Sequence, residues 1–431
     1  MQEYSVYPNV ELQNYVDGIG QRLAKKSHRP DLQFTFTLLD SPQVNAFALP
    51  GGYVYITRGI MAYMTEEAHL AGVIGHEIGH VTARHGAQRA AQQQIAGVAS
   101  IGAAILTGSA DVAQLSQMLG GALMSGYGRK QELESDRLGA EYIAQNDYDV
   151  NDMIGVIGIL KDQELFAAAK ARAEGRQVQS YHGAYSTHPR NDTRLQEVIK
   201  AAKRFENPAA NKDDDGRFLR LTDGMAFGDS EAQGITYGNK FYHKSLNLFV
   251  EFPTGWTVQN APTMLNAISP DRTQAVRIQM DSIGADMNAA QYLNSKFTNL
   301  QSAQYVDSEF GQAYAGVASV QDQSSGQKQN LLVSAVKRGD QAYVVAGLGR
   351  TTLPNREFFD VTKGMRALKK SEQKLAEGRT IKLIKAKRGD TFAKLAKQVN
   401  LSEYPEEQLR LINGMYPDGE PTPGQYIKLI D

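Results

Sequence analysis

Gly72-Val73-Ile74-Gly75-His76-Glu77-Ile78-Gly79-His80-Val81 decides how the rest of this chain is read. It contains one HExxH. On an α-helix, positions i and i+4 lie one above the other on the same face, so His76 and His80 can hold one metal ion between them. Glu77 sits beside His76, within reach of a water on that metal. Two imidazoles and a carboxylate base at this spacing suit zinc-assisted hydrolysis of a peptide bond. The alternative is a surface helix that carries two histidines. The flanks favour the first reading. Thr65-Glu66-Glu67 looks like a helix start, with a capping hydroxyl and then acids near the positive end. Leu70, Val73, Ile74, Ile78 and Val81 form an apolar stripe at helical spacing, and Gly86 is a plausible stop. The motif is therefore predicted to lie within an amphipathic helix.

Composition bounds the classes open to the chain. Its 431 residues suffice for two or three domains, and 42% hydrophobic with 22% charged residues is ordinary globular composition. A net charge of −1 and the lack of a long basic run argue against nucleic-acid binding. There is no cysteine, so disulfides and thiolate catalysis are excluded, and a metal site must use His and carboxylate. No uninterrupted apolar stretch is long enough to span a bilayer, so no transmembrane segment is expected. Met1-Gln2-Glu3-Tyr4 has neither a basic n-region nor an apolar core. Either the protein is cytosolic or a signal segment lies outside this sequence.

Upstream of the motif, Leu12, Tyr15, Val16, Ile19 and Leu23 predict an amphipathic helix. Leu32, Phe34, Phe36 and Leu38 alternate with polar residues and predict a strand. In Asn45–Thr57, two strand-like runs flank the turn Pro50-Gly51-Gly52. The first run, beginning at Asn45 and Ala46, is either the open edge of a sheet on which an extended substrate pairs or one arm of a plain hairpin.

Downstream, the Gly/Ala-rich stretch Ile95–Leu106 is too short to cross a bilayer. It reads as a buried helical hairpin, with a mobile lid as the sharper alternative. A catalytic zinc needs a third protein ligand. Glu132 and Asp136 stand i, i+4 on the next predicted helix: Glu132 could take the metal and Asp136 could fix the tautomer of a ligand histidine. Glu134 would point elsewhere, and a solvated acidic turn is the alternative for the whole run. His188, in Thr187-His188-Pro189, and Arg194 are either surface residues or groups that reach the cleft. There either could stabilise the oxyanion of a tetrahedral intermediate, or His188 could occupy the open metal position and keep the site latent. His85, one turn past His80, reads as a cation at a helix C-terminus rather than a ligand.

Four motifs, taken together, resemble a known family. Ala46-x-x-x-Pro50-Gly51-Gly52, His76-Glu77-x-x-His80, Glu132-x-x-x-Asp136 and Thr187-His188-Pro189 with Arg194 occur in this order. They resemble the gluzincin-type zinc peptidases related to HtpX, the CAAX prenyl protease and BepA, over roughly residues 1–205. The resemblance implies a mainly helical zincin domain with a small sheet. It also implies one zinc held by His76, His80 and Glu132, Glu77 as general base, Asp136 behind a ligand, and His188 near the site. Lacking membrane spans, the chain looks like the exported branch, which implies a periplasmic or envelope location. No helical-repeat array follows the protease part, a departure from BepA.

Residues 206–217 are polar and poor in apolar side chains, as in a linker. From 218 to 370, runs such as Ala275–Met280, Leu331–Val336 and Tyr343–Leu348 predict an antiparallel sheet, with helices over 289–299 and 358–368. This module weakly resembles the PsbP/Mog-type fold; Trp256 reads as core. Residues 380–431 predict β-α-α-β, and Gly389-Asp390-Thr391, Ile412-Asn413-Gly414 and Pro423-Gly424-Gln425 resemble a LysM module. That resemblance implies binding of N-acetylglucosamine-containing glycan, here peptidoglycan; a fold that only packs on its neighbours is the alternative.

The expectation is thus an α+β chain with a protease domain over 1–205, a linker, a module over 218–370 and a LysM-like module over 380–431. Its function is expected to be zinc-dependent endopeptidase action on unfolded or extended polypeptide, in envelope protein quality control. The competing readings are a latent metal-site protein that acts as a chaperone or wall-anchored binding protein, and a peptidoglycan amidase.

Overall fold

The structure is a computed structural model that describes residues 5–88, 127–175, 216–261, 264–297, 299–321, 328–348, 356–401 and 403–431. The Gly/Ala-rich stretch 95–106, His188, Arg194 and positions 206–215 of the expected linker lie outside the described residues. The chain is a mixture of helix and sheet and divides into two units. One combines Val6–Phe227 with Thr380–Asp431, and the other is Gly228–Arg379.

The first unit opens with α1 (Val10–Lys25), capped by Asn9, whose Oδ1 accepts from the Leu12 N–H at 3.0 Å. It buries the predicted stripe Leu12, Tyr15, Val16, Ile19 and Leu23. Strands β1 (Thr35–Leu39), β2 (Ala46–Leu49) and β3 (Tyr53–Thr57) form a sheet in the order β1-β3-β2. β2 and β3 are the antiparallel arms around Pro50-Gly51-Gly52, and β1 pairs with β3 in parallel. The chain passes through α2 (Arg58–Met61) into α3 (Glu67–Thr82), which carries the HExxH. Then come α4 (Arg129–Ala144), α5 (Asp152–Ala173), α6 (Arg217–Thr222) and the short β4 (Ala226–Phe227).

The second unit is antiparallel throughout. β5 (Ile235–Tyr237), β6 (Lys240–His243) and β7 (Leu248–Glu251) form one small sheet. The larger sheet contains β8 (Thr257–Ala261), β9 (Met264–Ile268), β10 (Ala275–Ser282), β11 (Gln301–Val306), β12 (Gln312–Gln321), β13 (Lys328–Arg338) and β14 (Gln341–Leu348). Their spatial order is β11-β12-β13-β14-β10-β9-β8. Helices α7 (Ala289–Lys296) and α8 (Arg356–Gly364) accompany it. Trp256 is buried and meets Phe358 edge-on at 6.1 Å, a core position as expected.

The last segment returns to the first unit. β15 (Arg379–Lys385), α9 (Phe392–Leu395), a 3-10 turn at Ala396–Gln398, α10 (Pro405–Ile412) and β16 (Tyr426–Ile430) follow in the predicted β-α-α-β order. β15 lies between β16 and β4, so β4, from the segment after α6, extends the module's sheet. Phe166 of α5 packs edge-on against Tyr404 and Tyr416 at 6.2 and 6.0 Å, and Lys170 pairs with Glu403.

Strand alternation explains the closest contact. Ile427 and Leu429 face the module's own core, so Lys428 faces the other way. Its side chain is fully buried, and Nζ donates to the carbonyls of Ala62 and Met64 at 2.6 and 2.7 Å. Those carbonyls belong to the turn that leads into α3. Burial pulls the Lys428 pKa down to about 7. A neutral amine has two N–H groups, which matches two carbonyl acceptors. Buried His69 lies nearby, its pKa lowered to about 4 by burial first and by Lys428 second, and its Nε2 is 3.0 Å from Glu66 Oε1.

The folded state therefore binds fewer protons at Lys428 than the unfolded chain does between pH 7 and the ordinary lysine value. Stability is expected to rise with pH across that window, by at most about 1.4 kcal/mol per pH unit. Urea unfolding of the parent and of Lys428→Met, compared at pH 7 and 9, reads this directly. A gap between them that does not move with pH counts against a neutral buried amine.

Candidate metal centre

The HExxH helix is shorter and more buried than its sequence suggested. It begins at Glu67, with Glu66 as an N-cap that makes no side-chain capping bond, and Thr65 contributes no cap. It ends at Thr82 rather than near Gly86. All residues from Ala68 to His80 are buried, so the helix has no solvent-exposed face over that span. The reason is tertiary: α1, α4, α5, β2 and β3 all pack around it. Glycines in the motif serve that packing.

α4 crosses α3 at unusually short range. A Cβ on Gly139 would stand 2.9 Å from the His76 nitrogen, and one on Gly79 would stand 3.0 Å from the Ser135 carbonyl oxygen. Only hydrogen fits at both positions. This approach carries Glu132, fully buried at the start of α4, to the two histidines. The Nε2 atoms of His76 and His80 are 3.0 Å apart, and Glu132 oxygens lie 3.8 Å from the first and 3.4 Å from the second. Among the described residues, these three side chains form the acid and imidazole group able to hold a metal ion, with ligand atoms all within 4.8 Å of one another.

The opposite ring nitrogens are also engaged. His76 Nδ1 is 2.8 Å from Asp136 Oδ1. His80 Nδ1 is 2.9 Å from His85 Nδ1, and His85 Nε2 is 3.3 Å from Glu134 Oε2. A consistent proton assignment follows from these contacts. His76 donates from Nδ1 to Asp136, His80 donates from Nδ1 to His85, and His85 donates from Nε2 to Glu134. Both Nε2 lone pairs then face the Glu132 carboxylate across a gap that a cation could fill. Tyr127 stacks on the His80 ring at 3.9 Å between centroids. The donor set of two imidazoles and one carboxylate fits zinc and leaves further positions open.

His85 departs from its sequence reading. It is fully buried, and burial lowers its pKa against the opposing pull of Glu134, so it is a neutral partner of His80 rather than a helix-end cation. No sequence period flagged it, because it lies beyond the helix end. Arg84, at φ 59°, turns the chain back so that His85 returns to the ring. Glu134, expected to point elsewhere, meets His85. Glu77 is buried and lines an apolar cavity with Ala46, Ile60, Val73, His76, Met153, Val156 and Leu160. Ala46 begins β2, an end strand of the sheet among the described residues. Asn45 just precedes β2, and its backbone N–H and C=O both meet Thr57.

Residues 11–202 match Peptidase family M48. This part of the chain is an M48 peptidase domain. The beta-barrel assembly-enhancing protease of Yersinia pestis is 30% identical over 213 residues, 47% of this chain and 42% of that protein. The mitochondrial metalloendopeptidase OMA1 of Schizosaccharomyces pombe is 30% identical over 185 residues, 43% of this chain and 51% of that protein. The chain thus spans about half or less of the curated relatives it matches. The solution structure of PsbP from Synechocystis covers 31% of this chain and 96% of its own at 13% identity, with a TM-score of 0.24, too low to bear on the fold of the second unit.

Asp136→Asn keeps the shape but not the acceptor charge, and it is expected to weaken metal affinity by about 10- to 100-fold. Gly139→Val forces the helices apart and is expected to cost about 1–3 kcal/mol of stability together with metal retention. Metal content per chain after dialysis against a graded chelator, measured beside urea unfolding, checks both. Parent-like metal retention in Gly139→Val would refute the packing account.

Proposed function

We propose that this chain is a zinc endopeptidase that cuts extended or unfolded polypeptide in the bacterial envelope. The observation that carries the reading is the convergence of His76, His80 and Glu132 beside Glu77, at the foot of an outer strand. Zinc bound at these three side chains would polarise a peptide carbonyl and make a water acidic enough to attack it. Glu77, as general base, would take a proton from the attacking water and pass it to the leaving amine. Asp136 and His85 keep the ring protons on Nδ1, so the ligand lone pairs stay aimed inward. The buried surroundings of Glu77 exclude bulk solvent, which strengthens each charge interaction there.

β2 supports the choice of substrate. A chain laid along one outer strand must itself be extended, so folded proteins are poor substrates. The apolar cavity beside Glu77 suits an apolar side chain just after the cleaved bond. Envelope quality control is the reading that the names of the relatives favour. No helix among the described residues is long and apolar enough to cross a membrane. In this reading, residues 380–431 act as a LysM-like module that holds the enzyme on peptidoglycan. Their β-α-α-β order and the motif residues 389–391, 412–414 and 423–425 support that role. His188 and Arg194 remain candidates for stabilising the oxyanion.

The test is cleavage of casein by zinc-loaded protein beside Glu77→Gln. The parent is expected to cleave, and the variant to lose about 10²- to 10⁴-fold in rate while holding the same zinc per chain. Equal cleavage by both would reject Glu77 as the base. Full zinc with no cleavage by either protein would favour a binding protein with a latent site. Release of muropeptides instead of casein fragments would favour an amidase.

A further inference from the structure

Two cavities flank the metal group, and the reading above uses one. The second is lined by Ala48, Leu49 and Pro50 at the far end of β2, by His80, and by two arginines, Arg29 and Arg84. Neither guanidinium forms an ion pair or hydrogen bond with a described residue. Arginine is hydrated weakly and presents a planar fork of donors that matches a carboxylate. Two such groups on one concave surface suit an anion.

The backbone at Arg84 points the same way. Arg84 follows the C-cap residue Ala83 of α3 and has φ 59°, in the left-handed region. Helix ends of this shape favour glycine or asparagine there. An arginine is strained at that position, and strain at the rim of a cleft is a reason to ask what its side chain does. Its guanidinium stands on this cavity.

The direction of a bound chain follows from Glu77. The group that protonates the leaving amine must lie on the side of the residue after the cleaved bond. Glu77 and Ala46 line the apolar cavity, while His80 and Leu49 line the basic one. A substrate antiparallel to β2 therefore passes the arginines first. We propose that Arg29 and Arg84 form a subsite that selects an acidic side chain on the amino-terminal side of the scissile bond. This deepens the peptidase reading and rests on it.

Quenched peptides with one Glu walked through the four positions before the cleaved bond, each paired with its Gln counterpart, test the subsite. At one position Glu is expected to raise kcat/KM by roughly tenfold over Gln, an advantage that shrinks as salt is raised. Arg84→Gly relieves the backbone strain and is expected to keep or raise Tm while the Glu/Gln ratio falls toward one. Arg29→Gln, on a different element, is expected to reduce the same ratio. No Glu preference at any position, or an unchanged ratio in both variants, overturns the subsite. If the parent cleaves no peptide at all, the peptidase reading fails, and the subsite is judged by calorimetry on Glu77→Gln protein. Tighter binding of the Glu peptide than of its Gln partner, lost on adding Arg84→Gly, supports it; equal Kd values overturn it.

Discussion

The structure depends most on the close crossing of two helices. HExxH supplies two imidazoles and a carboxylate from one helix face, but a hydrolytic metal needs a third ligand from elsewhere. α4 supplies Glu132 only because Gly79 and Gly139 remove the side chains that would hold the helices apart. The same crossing puts Asp136 one turn further along, against the outer nitrogen of His76. One packing decision therefore places both Glu132 beside the two histidines and Asp136 behind one of them. Helix–helix distance thus acts here as a coordination parameter.

The centre is also unusual for how little of it is wet. His76, Glu77, His80, His85, Glu132 and Asp136 are all buried. Burying so many polar groups is tolerable only when they answer one another. The chain Glu134–His85–His80 and the pair Asp136–His76 do this for the outer ring nitrogens. The far side of α3 is braced differently. Its entry turn has two carbonyls held by Lys428, a residue from the other end of the chain. The C-terminal module is thereby part of the first unit, with β4 joining its sheet and Tyr404 and Tyr416 meeting α5. A module this small has little core of its own, and docking supplies the burial it lacks.

Much of the fold was legible in the sequence. α1 shows its 3.6-residue stripe at Leu12–Leu23, β2 and β3 are announced by Pro50-Gly51-Gly52, and the long antiparallel strands of the second unit are runs of Val, Leu and Ala. These signals are local, so a local reading finds them. The boundaries of α3 were misread for a local reason too. Thr65 and Gly86 have the right chemistry for caps, but the backbone enters the helix two residues after the first and leaves it four before the second. The parallel pairing of β1 with β3 left no trace in either strand, because alternation reports which face is buried and not which strand is the neighbour.

By itself the sequence determined the candidate site residues and their helical spacing: His76, Glu77 and His80 on one helix, Glu132 and Asp136 on another. Periodicity encodes which residues share a face, and that is all such motifs require. Only the tertiary structure decided which residues stand behind the ligands and what surrounds them. His85 reaches His80 through a left-handed turn, Lys428 reaches the α3 entry across more than 350 positions, and α3 and α4 close on each other at Gly79 and Gly139. Each is a contact between segments that carry no shared period, so its cause lies in the packing of elements and not in any stretch of the chain.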